Sequence, residues 1–163
     1  MKVRPATPAD AADMARVLNA VIAIGGTTAH EVPKSVEEVG KAYVTGADVL
    51  SATVCEVEGK VVGWQSVGLW QDEPHIGSFV RPGVQAKGIG GLMFDLTCTT
   101  LRQQGVDHII AHIRADNVPG LAYYSRIGFR DIGLDPDFAL RNGDRVGQVQ
   151  KRFDLAPLLQ TAG

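Results

Sequence analysis

Hydrophobic and polar positions repeat along this chain with two periods, and each change of period marks a new element. Met14, Val17, Leu18, Val21 and Ile22 recur at helical spacing, which makes one buried stripe. Thr7-Pro8-Ala9-Asp10 opens this helix, with Thr as N-cap, Pro at the first position and an acid at the third. Gly25-Gly26 closes it. Val3 and Arg4, ahead of it, read as a short first strand. Ser35-Val36-Glu37-Glu38 is a capping box and starts a second helix that runs to about Gly46. The texture then turns to small and β-branched residues. Residues 51–58 predict a strand, Gly59-Lys60 a tight turn, and residues 60–70 the return strand of a hairpin. Gln71-Asp72-Glu73-Pro74 breaks the run. HIGSFV at residues 75–80 is a fourth strand, RPGVQAKGIGG a loop, and LMFDLTCTTL a third helix ending near Gly105.

HIIAHIR, residues 108–114, predicts a fifth strand. Reached from the fourth through a helix, it is expected to lie parallel to it. Asn117 is an N-cap with Pro119 just inside, LAYYSRI is a short helix body, and Gly128 stops it. Residues 129–133 and 146–153 are the last two strands, with Asn142-Gly143 as a hairpin turn signal between them. The order βααβββαβαββ predicts an α/β (α+β) mixed sheet with helices on both faces. No repeat, low-complexity tract or linker divides the chain. One domain over 1–163 is expected, with 155–163 a loosely attached tail.

Composition narrows the classes. At 45% hydrophobic and 21% charged, the chain has the balance of one globular core. Net charge is -2, from 16 basic and 18 acidic residues, and no basic stripe appears, so no nucleic-acid partner is expected. The first residues, MKVRPATPADAADM, lack the apolar run of a signal peptide, and no apolar run reaches membrane-spanning length. A cytoplasmic protein without a membrane partner is the expectation. Cys55 and Cys98 lack metal spacing and read as reduced core thiols, so no metal is expected.

Candidate chemistry gathers in residues 75–101. A strand that feeds a glycine-rich turn into a helix makes an anion site, because the first helical N–H groups lack partners and the dipole adds positive charge. A Walker-type loop needs Lys and Ser/Thr after its second glycine, but Ile89 and Gly90 follow Gly88. A dinucleotide fingerprint needs a third glycine where Met93 stands, and it belongs in a first βαβ unit. What remains is Gln85-x-x-Gly88-x-Gly90, or glycines that merely shape a tight strand-to-helix turn.

VRPGVQAKGIGGLMF, with Val80-Arg81-Pro82 ending the strand, resembles the coenzyme A loop of the GCN5-related N-acetyltransferase (GNAT) family. NVPGLAYYSRIGF, residues 117–129, resembles that family's asparagine–helix–tyrosine–Gly-Phe segment, with Tyr124 at the tyrosine position. The element order agrees along nearly the whole chain. Fold and activity follow as what the resemblance implies. The sheet would be mostly antiparallel and twisted, with strands 4 and 5 parallel and splayed. An acyl group, usually acetyl, would pass from acetyl-CoA to an amine. Backbone N–H groups of Gln85, Ala86, Lys87, Gly88, Ile89, Gly90 and Gly91 would hold the pyrophosphate. The Phe79-Val80 edge would pair with the pantetheine amides, and its N–H groups would face the forming oxyanion. Asn117 would face the same arm, cap its helix, or do both.

Tyr124 would give the thiolate its proton, since a phenol donates while neutral at pH 7. A primary amine with pKa ~10 must lose a proton before it attacks. His75 is the candidate base, directly or through water, and Glu73 is the second candidate. Neither cysteine sits beside a base, so direct attack is expected rather than an acyl-enzyme. The loop between the first two helices would wall the acceptor site through Thr27, Thr28 and His30. Asn19-Ala20-Val21-Ile22, the Thr pair and GFRDIG resemble the phosphinothricin acetyltransferase-like branch, which implies a small amino-acid-like amine. The resemblance also implies a homodimer. Trp64, Trp70 and Phe138 either line the pocket or fill the core. Two alternatives stay open: a protein amine as acceptor, and a non-catalytic acyl-CoA sensor that keeps the glycine loop without needing Tyr124.

Overall fold

The computed structural model describes residues 1–84 and 88–157. Its elements follow the expected order: β1 (Lys2–Pro5), α1 (Ala11–Ile24), α2 (Val36–Gly40), β2 (Val49–Val57), β3 (Lys60–Trp70), β4 (Glu73–Val80), α3 (Ile89–Gln103), β5 (His108–Arg114), α4 (Val118–Arg126), β6 (Arg130–Asp135) and β7 (Gln148–Asp154). A 3-10 turn at Pro8–Asp10 leads into α1, and one π-helical turn, Lys41–Thr45, extends α2. Of the expected tail, 155–163, the part from residue 158 on lies outside the described residues, whereas Leu155 is buried in the core with its N–H on the Asp107 carbonyl (2.9 Å).

The sheet has the order β1-β2-β3-β4-β5-β7-β6. Every neighbouring pair is antiparallel except β4 and β5. Those two are parallel and share one registered pair, His75 with Ile110, before they diverge. The splayed sheet is therefore present. Side chains leave β3 by turns to its two faces. Trp64 and Ser66 meet α1 and the end of α2, while Gln65 and Val67 meet α3. Helices thus cover both faces.

Two boundaries differ from the sequence reading. Glu73 and Pro74 belong to β4 rather than to a break. Gln71 and Asp72 both take positive φ (51° and 61°), so two residues suffice to turn the chain and Trp70 already pairs with Glu73. Pro74 is tolerated because its nitrogen faces away from β3 and no ladder bond is lost. Second, α3 begins at Ile89, so Gly90 and Gly91 lie in its first turn instead of the loop. Gly88, the residue before the helix, holds the left-handed conformation (φ 88°) that turns the chain into it.

The start of α1 is tied to the sheet by charge. The Asp10 carboxylate accepts from the Thr7 N–H (2.8 Å) and from Arg4, whose guanidinium also reaches Glu56 on β2. The hydrogen bond from Arg4 holds the Asp10 carboxyl below its ordinary range. A depressed carboxyl gives stability that is present above its unfolded pKa, ~3.9, and is lost as pH falls through the depressed value. Asp10→Asn is expected to lower Tm by about 2–4 °C at pH 7, the loss of roughly 1 kcal/mol of capping. Thermal melts should show that gap closing towards pH 3; a gap independent of pH would refute the role.

Candidate active site

The divergence of β4 from β5 opens the molecule. The Arg81 N–H donates to the Val62 carbonyl, and the β3–β4 register therefore sets alternate residues of β4 against β3. Phe79 spends its backbone groups on Trp64, whereas those of Ser78 and Val80 turn towards β5, which has moved away. An unpaired strand edge thus lines the wedge. A cleft of about 680 Å³ runs from this edge past Gly88, Ile89, Gly90 and Gly91 to α4. A smaller cavity of about 200 Å³ lies deeper, walled by Thr27, Thr28 and His30 on one side and by β4, β5 and α4 on the other. Ser78, Phe79, Thr27, Asn117, Gly120 and Tyr123 line both.

The start of α3 is held by a buried polar chain. Tyr123 donates its O–H to the Gly90 carbonyl (3.0 Å) and accepts from Gln65 Nε2 (2.8 Å). Thr97 donates to Gln65 Oε1 (3.0 Å), so Thr53, 3.3 Å from it, donates to Thr97. Gly90 has to be glycine here: a Cβ would sit 2.5 Å from the Tyr123 ring. Burial pushes the Tyr123 hydroxyl well above an ordinary phenol, which keeps it a donor.

Tyr124 faces the small cavity and donates to Ser78 Oγ at 3.2 Å. Burial pushes its pKa up to about 12. Asn117 caps α4 by accepting from the Gly120 N–H (3.0 Å) and donates through Nδ2 to the Thr27 carbonyl (2.8 Å). Arg114 Nη1 reaches the Thr28 carbonyl (3.1 Å), while its other face binds the Asp116 carboxylate. The loop carrying Thr27, Thr28 and His30 is therefore pinned across the wedge to the end of β5. His30 contacts the Tyr43 hydroxyl (3.0 Å), and burial lowers its pKa.

The predicted residues thus divide. Phe79, Val80, Gly88, Ile89, Gly90, Gly91 and Asn117 line the large cleft. Thr27, Thr28, His30 and Tyr124 line the small cavity. Gln85, Ala86 and Lys87 lie outside the described residues. His75 and Glu73 line neither space. His75 Nδ1 donates to the Glu73 carbonyl (2.9 Å), and the Glu73 carboxylate accepts from His108 Nε2 (3.2 Å) at the sheet's end. Trp64 is fully buried in the core, and Trp70 is half exposed beside His75. Sequence reasoning passed over Ser78, Gln65, Arg114, His112 and the anchoring role of Tyr123. Strand parity carried the signal for two of them, since His112 and Arg114 are polar residues at period two, on the same parity as His108, in a strand whose other residues are apolar.

A cleft walled by an unpaired strand edge and a glycine-opened helix suits an extended amide chain that ends in phosphates. The acetyltransferase (GNAT) family model matches residues 28–129. The chain belongs to the GNAT family. GNAT acetyltransferases use acetyl-CoA, and the residues present fit that molecule. Among the described residues no ladder partner meets the backbone amides of Ser78 and Val80 along the wedge, and Cβ-sized space stands open over Gly88 and Gly91 at the helix start.

Among curated GNAT relatives, mycothiol acetyltransferase from Clavibacter sepedonicus is 30% identical over 104 residues, 63% of this chain and 33% of that protein. The chain spans about a third of the length of the first curated relatives it matches. Phosphinothricin N-acetyltransferase from Streptomyces viridochromogenes is 24% identical, over 95% of this chain and 89% of that one. In fold the chain is similar to a putative acetyltransferase from Salmonella typhimurium solved with acetyl-CoA (TM-score 0.83, 18% identity, 100% of this chain and 98% of that one). Among the described residues no helix is long and apolar enough to cross a membrane.

Proposed function

We propose that this protein transfers an acetyl group from acetyl-CoA to the primary amine of a small, polar, amino-acid-like molecule. The observation that carries this is the meeting of two spaces at Ser78, whose hydroxyl accepts from Tyr124: a long cleft with an unpaired strand edge, and a 200 Å³ cavity too small for a folded protein surface. When bound, acetyl-CoA supplies an activated acetyl group and a thiolate leaving group. The chain's residues do the rest. Val80 and Ser78 present backbone N–H groups along the wedge. In this reading the Val80 amide, rather than that of Phe79, is available to a developing oxyanion, because Phe79 is already paired with Trp64. Tyr124 holds on Oη the proton that the thiolate needs, and with a pKa raised to about 12 it keeps that proton at neutral pH. Thr27, Thr28 and His30 shape the acceptor side, held in place by Asn117 and Arg114.

The match to a phosphinothricin N-acetyltransferase over 95% of this chain supports the small-amine reading. Thiol release from acetyl-CoA, measured across amino acids, small polyfunctional amines and peptides with free N-termini, tests it. Turnover confined to small amines is expected. Turnover only on peptides would move the acceptor to a protein amine, and acetyl-CoA binding without turnover on any amine would favour a sensor.

A further inference from the structure

We propose that His112 is the group that takes the proton from the acceptor's ammonium in the small cavity, an inference that rests on the acetyl-transfer reading above. His112 lies on β5, two residues from Arg114 and opposite Gln150 of β7. It lines the same 200 Å³ cavity as Ser78 and Tyr124. The other basic groups there are already committed. Arg114 is spent on Asp116 and the Thr28 carbonyl, and a guanidinium does not give up its proton in any case. His30 is bound to the Tyr43 hydroxyl. Among the described residues neither imidazole nitrogen of His112 is engaged by a protein group, and no buried side-chain nitrogen or oxygen is left without a partner. Its nitrogens are therefore accessible rather than sealed in the core, on a residue that lines the cavity.

The ring is also held in orientation. His75 stands edge-on to it with centroids 4.8 Å apart, and Trp70 does the same at 5.7 Å. The His75 ring is fixed in turn, because a carbonyl can only accept: the bond to Glu73 O places a proton on His75 Nδ1. The charged and titratable groups around His112 are His75 and the Glu73 carboxylate on β4, Arg114 on its own strand, His30 on the loop, and Tyr123 and Tyr124 on α4. Burial, and then His75, lower its pKa below the ordinary value, while Glu73 opposes them. His112 is therefore neutral at pH 7 and free to accept. In the step itself the ammonium N–H bond breaks, an N–H bond forms on the imidazole, and the amine keeps the lone pair with which it attacks. The proton then passes from the imidazolium to water.

The test uses the purified chain with His112→Gln and His75→Gln. Three quantities are read: acetyl-CoA Kd by calorimetry, the pH profile of kcat/KM with the best amine of the panel, and the imidazole NMR titration of His112, assigned by its loss in the variant. In the wild type the acid limb should coincide with the His112 resonance, with a midpoint below ~6.5. His112→Gln should erase that limb and leave a rate that climbs with pH as the amine itself deprotonates. At pH 7 it should lose about tenfold, under the usual ~10²-fold for a positioned base because water stands in for part of it. Acetyl-CoA affinity should not change. His75→Gln should move both midpoints upward, since His75 is one of the two causes that lower the His112 pKa. Turnover by His112→Gln with the wild-type limb intact would overturn the role of His112 and leave acetyl transfer standing. Wild-type binding of acetyl-CoA with no turnover on any amine would overturn both.

Discussion

Tyr124→Phe is expected to lower kcat by about 10²–10³-fold, the range of a positioned general acid, while the dissociation constant of acetyl-CoA stays within about twofold of wild type. The substitution removes one oxygen and keeps the ring, so the packing of Tyr124 on Phe129 (centroids 5.1 Å) survives. Ser78 Oγ loses a donor but sits at a cavity where water replaces it. The high pKa, about 12, adds a second signature: no alkaline loss of wild-type activity should arise from this group below about pH 10. Tyr123→Phe is the matching control, and it should do the opposite. It removes the Tyr123 bonds to the Gly90 carbonyl and to Gln65 and leaves that carbonyl only the longer bond from Gln65 Nε2 (3.3 Å), so the first turn of α3 loosens and acetyl-CoA binds about fivefold more weakly, the equivalent of one net hydrogen bond. Stopped-flow turnover with calorimetry separates the two. Equal losses of kcat and affinity in Tyr124→Phe would reduce that residue to a packing role.

Trp64→Ala should cost about 3–5 kcal/mol of stability and lower Tm by roughly 10 °C or more in a chain of this length. Trp64 is fully buried, its indole N–H donates to the Met14 carbonyl at 3.0 Å, and its ring packs on Tyr43 and Phe79 at 5.0 and 4.7 Å. One side chain thus joins α1, the end of α2, β3 and β4. Chemical denaturation followed by circular dichroism measures the loss. Because Phe79 lines both spaces, acetyl-CoA affinity of the folded fraction should fall as well. A loss below about 1 kcal/mol would mean that the site refills around the gap.

Local signals carried most of the fold. Thr7, Ser35 and Asn117 each start a helix, and Gly25 and Gly128 each end one, because caps and positive-φ stops are decided within a few residues. Gln71-Asp72 was misread because two non-glycine residues adopt positive φ there, which composition does not announce. The order of the glycine-opened helix and the Asn117 segment was legible from spacing. The surroundings of the site were not. Gln65 meets Tyr123 across 58 residues and Arg114 meets Thr28 across 86. His75 stands at a strand entry, where β4 and β5 share their one registered pair, and the opening begins just beyond it. His112, on the neighbouring strand and on the open side, could be placed only once the two strands were seen to part.

The single registered pair between β4 and β5 has a further consequence for solubility. Beyond His75 the sheet has an internal edge, and a strand edge with unpaired amides invites the extended chain of any neighbour. Most proteins blunt such edges with charge, proline or a bulge. Here the guard is the α1–α2 loop, fastened by Asn117 to Thr27 and by Arg114 to Thr28. The same two fasteners also hold that loop across the parted strands.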